Sequence, residues 1–157
     1  MIRYCYINSP IGKLLLRGKE GVVEELYFPN SLQHTSVEEG QICEESGFAE
    51  VIQQLEQYFQ GKRQLFELEL SPSGTPFQRR VWQELRKIPY GQTVSYSYIA
   101  EKIGNPKASR AVGMANSKNP IPIIIPCHRV IGKDGTLTGF GGGLETKRFL
   151  LELEGCA

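Results

Sequence analysis

The chain reads as an α+β/α two-domain protein: a small α+β unit over residues 1–71, then a helical unit over 75–157 carrying a helix-turn-helix. Three observations predict this. Short apolar segments bounded by turn residues, with one amphipathic stretch, fill the first half. Helical-period apolar faces broken by Gly and Pro fill the second. The charge balance also reverses at Pro72-Ser73-Gly74: residues 1–71 hold 6 Lys+Arg against 11 Asp+Glu, whereas 72–157 hold 12 against 6. A basic half beside an acidic one points to a polyanionic partner for the second half only.

In the first half, Tyr4–Ile7, Lys13–Arg17 and Val22–Phe28 have the composition of strands. Ser9-Pro10-Ile11-Gly12 and Gly18-Lys19-Glu20-Gly21 separate them and are short enough for hairpins. Residues 29–46 are polar and acidic and read as a loop; Glu38-Glu39 and Glu44-Glu45 fit a solvated loop better than a metal site. Phe48, Val51, Ile52, Leu55, Tyr58 and Phe59 fall at three- and four-residue steps, which predicts a helix capped by Gly61. Phe66, Leu68 and Leu70 alternate with Glu67 and Glu69, as in a half-buried strand. No catalytic cluster is visible here, so the role of this half is structural.

In the second half, Thr75-Pro76 is an N-cap followed by proline in the first turn. The helix it opens has an apolar face of Phe77, Val81, Trp82 and Leu85 and a basic face of Arg79, Arg80, Arg86 and Lys87. Ser95 or Ser97 can cap a short helix ended by Gly104-Asn105-Pro106. Residues 107–116 form a second short helix, completing the pattern of a helix-turn-helix. Ala108, Ala111, Gly113 and Ala115 leave that second helix nearly bare, with Arg110 as its one long basic side chain. A bare helix admits close approach of a phosphate backbone or narrow groove, and equally admits tight helix packing; the basic composition favours the nucleic acid.

Ile123-Ile124-Ile125-Pro126-Cys127-His128-Arg129-Val130 is the chemically distinctive stretch. A stiff β-branched run ends at proline, and a cysteine follows with a base and a cation beside it. Nearby positive charge or an imidazole promotes the reactive thiolate, although a cysteine after an apolar run also serves as a small buried hydrophobe. In an extended segment Cys127 and His128 would point to opposite faces, so direct pairing of the two is awkward. The other cysteines stand at 5, 43 and 156 and the other histidine at 34, without C-x-x-C spacing. A disulfide framework, a metal and a cofactor are therefore not expected, nor is a membrane span or signal peptide. A cytoplasmic, intracellular setting fits (nuclear if the source is eukaryotic), as does a monomer.

Pro126-Cys127-His128-Arg129-Val130, preceded by Asn119-Pro120 and Pro122 and followed by a Gly-rich loop, resembles the O6-alkylguanine-DNA alkyltransferases. Phe77–Trp82, Ser95-Tyr96, Gly104–Ala108, Arg110–Gly113 and Gly142-Gly143-Leu144 extend the resemblance over 75–155; Ser9–Leu14 extends it more weakly into the first half. It implies a ribonuclease-H-like N-terminal domain and a winged-helix-like C-terminal domain. It also implies double-stranded DNA containing O6-alkylguanine as partner, and irreversible transfer of the alkyl group to Cys127 in a single turnover, with O4 of thymine as an alternative target atom. By that resemblance His128, through a water, and Glu154 complete a relay. Tyr96 donates a proton to the departing guanine, and Asn119 braces the helix-turn-helix against the active-site turn. Arg110 fills the stack once the base is flipped. Ser95, Lys107, Ala108, Ser109, Ala111 and Gly113 would line the DNA, and Trp82, Val130, Phe140, Gly141 and Gly142 the substrate pocket. The carbonyls of Cys127 and Val130 would read the exocyclic amine.

Two departures stand out. Phe140-Gly141 replaces the Tyr-Ser of many relatives, which removes a hydroxyl from the alkylated oxygen and leaves the Gly141 backbone N–H. Some relatives bind zinc through their N-terminal half; Cys5 is present here, but Lys19 and Glu24 occupy the partner positions. Two other functions compete: a lesion-recognition protein that transfers nothing, which Cys127 argues against, and a cysteine-based DNA-binding sensor, for which no sensor segment is evident.

Overall fold

Alternation and turn chemistry produce the first sheet. In the computed structural model, which describes residues 2–19, 21–30, 42–43 (backbone only), 46–137, 140 and 142–156, the chain divides into two units, Met1–Pro72 and Ser73–Ala157. In the first, β1 (Arg3–Ile7), β2 (Leu14–Lys19) and β3 (Val22–Tyr27) form an antiparallel meander, with Cys5 opposite Leu16 and Leu16 opposite Leu26. The β2/β3 pairing shifts register at Arg17/Gly18, where a Cβ on Gly18 would lie 2.1 Å from the Val22 carbonyl oxygen, so only glycine fits.

Two expectations for this unit need correction. The segment 29–46 is not all loop: β4 (Ile42–Cys43) pairs in parallel with β1, giving the order β3-β2-β1-β4. Residues 31–41, 44 and 45, including both acidic pairs and His34, lie outside the described residues. Phe66–Leu70 forms no strand and makes only a bridge between Leu70 and Val23. The reason is local competition. The Gln54 side-chain amide accepts from the Glu67 N–H at 2.9 Å and donates to its carbonyl at 3.2 Å, taking the ladder's hydrogen-bonding groups. Gln54 itself lies on α1 (Ala49–Phe59), which buries Val51, Leu55 and Tyr58 and ends at Gly61 in a Schellman motif.

The second unit starts at α2 (Pro76–Leu85). Its capping box is complete, with the Gln78 N–H donating to Thr75 Oγ1 and Gln78 Oε1 accepting from the Thr75 N–H. Then follow β5 (Val94–Ser95), α3 (Tyr96–Lys102), α4 (Ser109–Ser117), β6 (Val130–Ile131) and α5 (Leu144–Leu153). Ser95 rather than Ser97 caps α3, by accepting from the Tyr98 N–H. Helix α4 starts two residues later than expected. Lys107 and Ala108 belong to the connecting turn, where the Ala108 N–H donates to the Asn105 carbonyl. Helices α2, α3 and α4 pack on one another, and buried Trp82 Nε1 pegs α2 to α4 through the Ala115 carbonyl at 2.8 Å. No helix among the described residues is long and apolar enough to cross a membrane.

Candidate active site

The segment after α4 departs from the extended run expected of it. Ile123 is buried yet has φ +74°, the left-handed region that β-branched side chains disfavour. The strand-like Ile123-Ile124-Ile125 is therefore a tight turn, closed by the Ile125 N–H on the Ile121 carbonyl at 2.9 Å. Asn119 stitches both sides of that turn: its Nδ2 donates to the Ile125 carbonyl at 2.8 Å and its Oδ1 accepts from the Ile121 N–H at 3.0 Å. Pro126, at φ −80° and ψ 65°, makes an inverse γ-turn in which the Cys127 N–H donates to the Ile125 carbonyl.

Cys127, His128 and Arg129 then form a 3₁₀ turn, not the extended segment expected. Consecutive residues of a 3₁₀ turn diverge by about a third of a circle, so the neighbouring thiol and imidazole still do not face one another. All three are buried. Directly after the turn, β6 pairs in parallel with β5, Val94 opposite Val130 and Ser95 opposite Ile131. This short ladder ties the entrance of α3, and hence Tyr96, to the segment bearing the cysteine.

Glu154 organises the buried charge. Gly155, at φ +82°, occupies the left-handed position of a Schellman motif ending α5; the Gly155 and Cys156 N–H groups donate to the Glu152 and Leu151 carbonyls. The Glu154 carboxylate consequently sits at the helix C-cap, almost fully buried. Oε2 lies 2.7 Å from His128 Nε2 and accepts from Arg129 Nη2 at 3.0 Å, and Oε1 accepts from Arg129 Nε at 2.8 Å. This two-point pairing is the strong geometry for guanidinium and carboxylate. Arg129 also donates to the Ile88 carbonyl and lies over the Tyr90 ring. The cation beside the cysteine thus serves the glutamate, not the thiol.

Burial pushes the Cys127 thiol up to about 11; the Asn119 amide and the Lys147 charge oppose that rise. Burial also lowers His128 below its usual value, against the raising effect of its bond to Glu154. At neutral pH the resting pair is therefore a neutral thiol and a neutral imidazole. His128 Nδ1 is buried and has no partner among the described residues. It is the nitrogen available to accept a proton, since Nε2 is committed to Glu154.

Two side chains here were not singled out from sequence. Lys147 is fully buried, and its Nζ donates to the Val130 carbonyl at 2.7 Å. Its signal was readable: it lies three residues before Leu150 and four before Leu151, a cation on the apolar stripe of α5. Asn116, also buried, points Nδ2 at the Cys127 carbonyl (3.4 Å), while its Oδ1 is unpartnered among the described residues.

The remaining expected positions distribute as follows. Tyr96 opens α3, with its ring alongside Gly113 of α4. Arg110 and Ala111 are exposed on α4, Ser109 and Gly113 half-buried, and Lys107 and Ala108 sit in the preceding turn. Trp82 occupies the core between α2 and α4, Val130 and Gly142 are buried, and Phe140 is half-buried. Gly141 lies outside the described residues.

The sequence matches two family models: the ribonuclease-like domain of 6-O-methylguanine DNA methyltransferase over residues 2–72, and the DNA-binding domain of the same protein over 76–156. It is 50% identical over 152 residues to a methylated-DNA–protein-cysteine methyltransferase of Methanosarcina acetivorans, covering 97% of each chain. Its identity to the protein of that name from Mycobacterium leprae is 51% over 154 residues, 98% of this chain and 93% of the other. A crystal structure of Mycobacterium tuberculosis OGT in complex with DNA superposes with a TM-score of 0.91 at 48% identity, covering 97% of this chain and 92% of that one.

Proposed function

The chain belongs to the 6-O-methylguanine DNA methyltransferase family, and we propose that Cys127 is the residue that takes the alkyl group. The protein is a methylated-DNA–[protein]-cysteine S-methyltransferase. It repairs DNA by direct reversal, moving an alkyl group from O6 of guanine irreversibly onto its own cysteine.

In the proposed reaction Cys127 Sγ attacks the alkyl carbon, forming the S–C bond as the C–O6 bond breaks. The thiol proton passes through a water to His128 Nδ1, and the imidazolium so formed is held by Glu154. Tyr96 supplies a proton to the leaving guanine, so the base departs neutral. The observation that carries this reading is the buried His128–Glu154 pair with Nδ1 left open one residue from a buried, neutral thiol. A neutral thiol needs a base at the moment of attack, and a neutral imidazole oriented by a carboxylate is a suitable one.

Asn119 braces the nucleophile turn against α4. Helices α3 and α4 act as a helix-turn-helix within a winged-helix-like domain over 75–157, and α4 lies against DNA with Arg110 entering the stack after the nucleotide is flipped out. Lys107, Ala108, Ser109, Ala111, Gly113 and Ser95 lie along the duplex, and Val130, Phe140 and Gly142 border the extruded base, while Trp82 supports the site from the core behind it. The ribonuclease-H-like unit over 1–71 is structural, and the protein acts as an intracellular monomer.

Incubation with duplex DNA containing O6-methylguanine is expected to add one methyl mass per molecule, on the peptide containing Cys127. Uptake by a Cys127→Ala chain would overturn the assignment. Arg110→Ala is expected to reduce the ratio of duplex to free-base reactivity; equal losses on both substrates would remove the finger role.

A further inference from the structure

Among the described residues, Met114 of α4 is the most exposed large apolar side chain on the second unit's helices, ahead of Leu144 on α5 and Tyr98 on α3. Met114 is 67% exposed, whereas Val112, Ala115 and Asn116 of the same helix are buried. It stands four residues after Arg110, one turn along the same face, about 6 Å away along the axis. Arg110, Ala111, Met114, Ser117 and Lys118 are all exposed, and their spacing makes a single stripe. Lys107 lies just before that stripe, and no Asp or Glu occurs from 105 to 120. The face is therefore cationic throughout, with one long, flexible thioether at its centre.

Charge complementarity selects a polyanion for such a face, and the bare residues on either side of Met114 let a duplex approach closely. Phosphates meet Lys107 and Lys118, while Arg110 reaches into the stack. The apolar chain needs the non-ionic surface of the same ligand: deoxyribose walls and base edges, where methionine is among the apolar side chains used. We propose that Met114 is a DNA-contact residue that packs against deoxyribose and base edges one helical turn from Arg110. The proposal rests on the reading of α4 as the helix laid against DNA.

Met114→Ala is expected to lower the ratio of duplex to free-base reactivity by roughly threefold to tenfold, the worth of one or two buried methyl-sized groups. Met114→Leu should restore most of it, and Met114→Glu should lose more than alanine. Because the side chain is exposed, none of the three should shift the thermal midpoint appreciably, which separates contact from folding.

A direct readout is also available, because the chain has only two methionines, Met1 and Met114. With methyl-¹³C-methionine in the full-length Cys127→Ala chain, the Met114 methyl resonance should shift on adding a duplex containing O6-methylguanine. A resonance that stays still, or a Met114→Ala ratio equal to wild type while Arg110→Ala lowers it, would overturn the proposal alone. If Arg110→Ala also leaves the ratio unchanged, the reading of α4 as the DNA-facing helix falls with it.

Discussion

His128 Nε2 and Glu154 Oε2 lie 2.7 Å apart with both side chains wholly shielded from solvent. The same carboxylate neutralises Arg129, so one group sustains both the proton acceptor and the buried cation next to it. Glu154→Gln keeps the volume but removes the charge. It should leave Arg129 buried without a counter-ion and cost about 3–5 kcal/mol of stability, the usual penalty for breaking one side of a buried pair. Alkyl transfer should also slow by at least about tenfold at temperatures where the variant is folded. Urea unfolding and single-turnover kinetics measure the two effects separately. A variant that is destabilised yet reacts at the wild-type rate would confine Glu154 to a structural role.

Stability should be greatest between about pH 6.5 and 9, and each limb has a named source. The folded Cys127 thiol holds its proton up to about 11 against an ordinary value of 9.0, so it contributes stability that is present below 9 and lost as pH rises from 9 to 11. Two units correspond to about 3 kcal/mol. His128 acts in the opposite direction. Its folded value lies below 6.5, so its contribution is present above 6.5 and lost as pH falls below that. Subtracting the unfolding free energies of Cys127→Ala from those of wild type across pH 7–11 should isolate the alkaline limb. A flat difference would show that the thiol does not carry it.

The positions legible in sequence are those whose signal is local. Thr75-Pro76 announced the start of α2, Gly61 and Gly104 the ends of α1 and α3, and Pro126-Cys127-His128 the chemistry, because caps, breakers and reactive pairs act within a few residues. What was not legible depends on partners distant in the chain. Strand β4 exists because β1, some forty residues earlier, offers its free edge. The 66–70 segment fails as a strand because Gln54 takes the hydrogen-bonding groups of Glu67. Arg129 read as a cation for the thiol until Glu154 was placed within its reach. Ile123 gave no warning at all, since nothing in an Ile-Ile-Ile run favours positive φ.

Lys147 contributes its charge to the cysteine and its hydrogen bond to the Val130 carbonyl. Lys147→Met retains a similar stem and removes both. The Cys127 thiol should then titrate above about 11, and the rate of alkyl transfer at neutral pH should fall. Stability should change little, because losing one hydrogen bond is offset by losing the desolvation of a buried ammonium. The pH dependence of Cys127 modification by a small thiol reagent, compared between variant and wild type, checks the direction; a downward shift would contradict it.

Asn116 invites a substitution with effects of opposite sign. Its bond to the Cys127 carbonyl is long, 3.4 Å, and its Oδ1 is a buried acceptor without a partner among the described residues. Asn116→Leu has nearly the same shape and removes that unpaired oxygen, so stability should hold within about 1 kcal/mol or rise. The Cys127 peptide would lose a restraint from α4, and transfer should slow severalfold. A variant that is both less stable and fully active would reverse the assignment.

Ile123 and Ile125 make a matched pair for testing backbone strain at the nucleophile turn. Both are isoleucines with almost no exposure, so replacing either by glycine removes the same side chain from a packed interior. They differ in conformation: of the two, only Ile123 has positive φ. Glycine adopts that region freely, whereas an L side chain there costs about 1–2 kcal/mol. Ile123→Gly should therefore be less destabilising than Ile125→Gly by roughly that amount. Because the turn it shapes leads through Asn119 and Pro126 to Cys127, Ile123→Gly should still loosen the approach and slow alkyl transfer. Chemical denaturation of the two variants side by side decides the first point. Equal losses of stability would mean that the left-handed turn at Ile123 carries no strain.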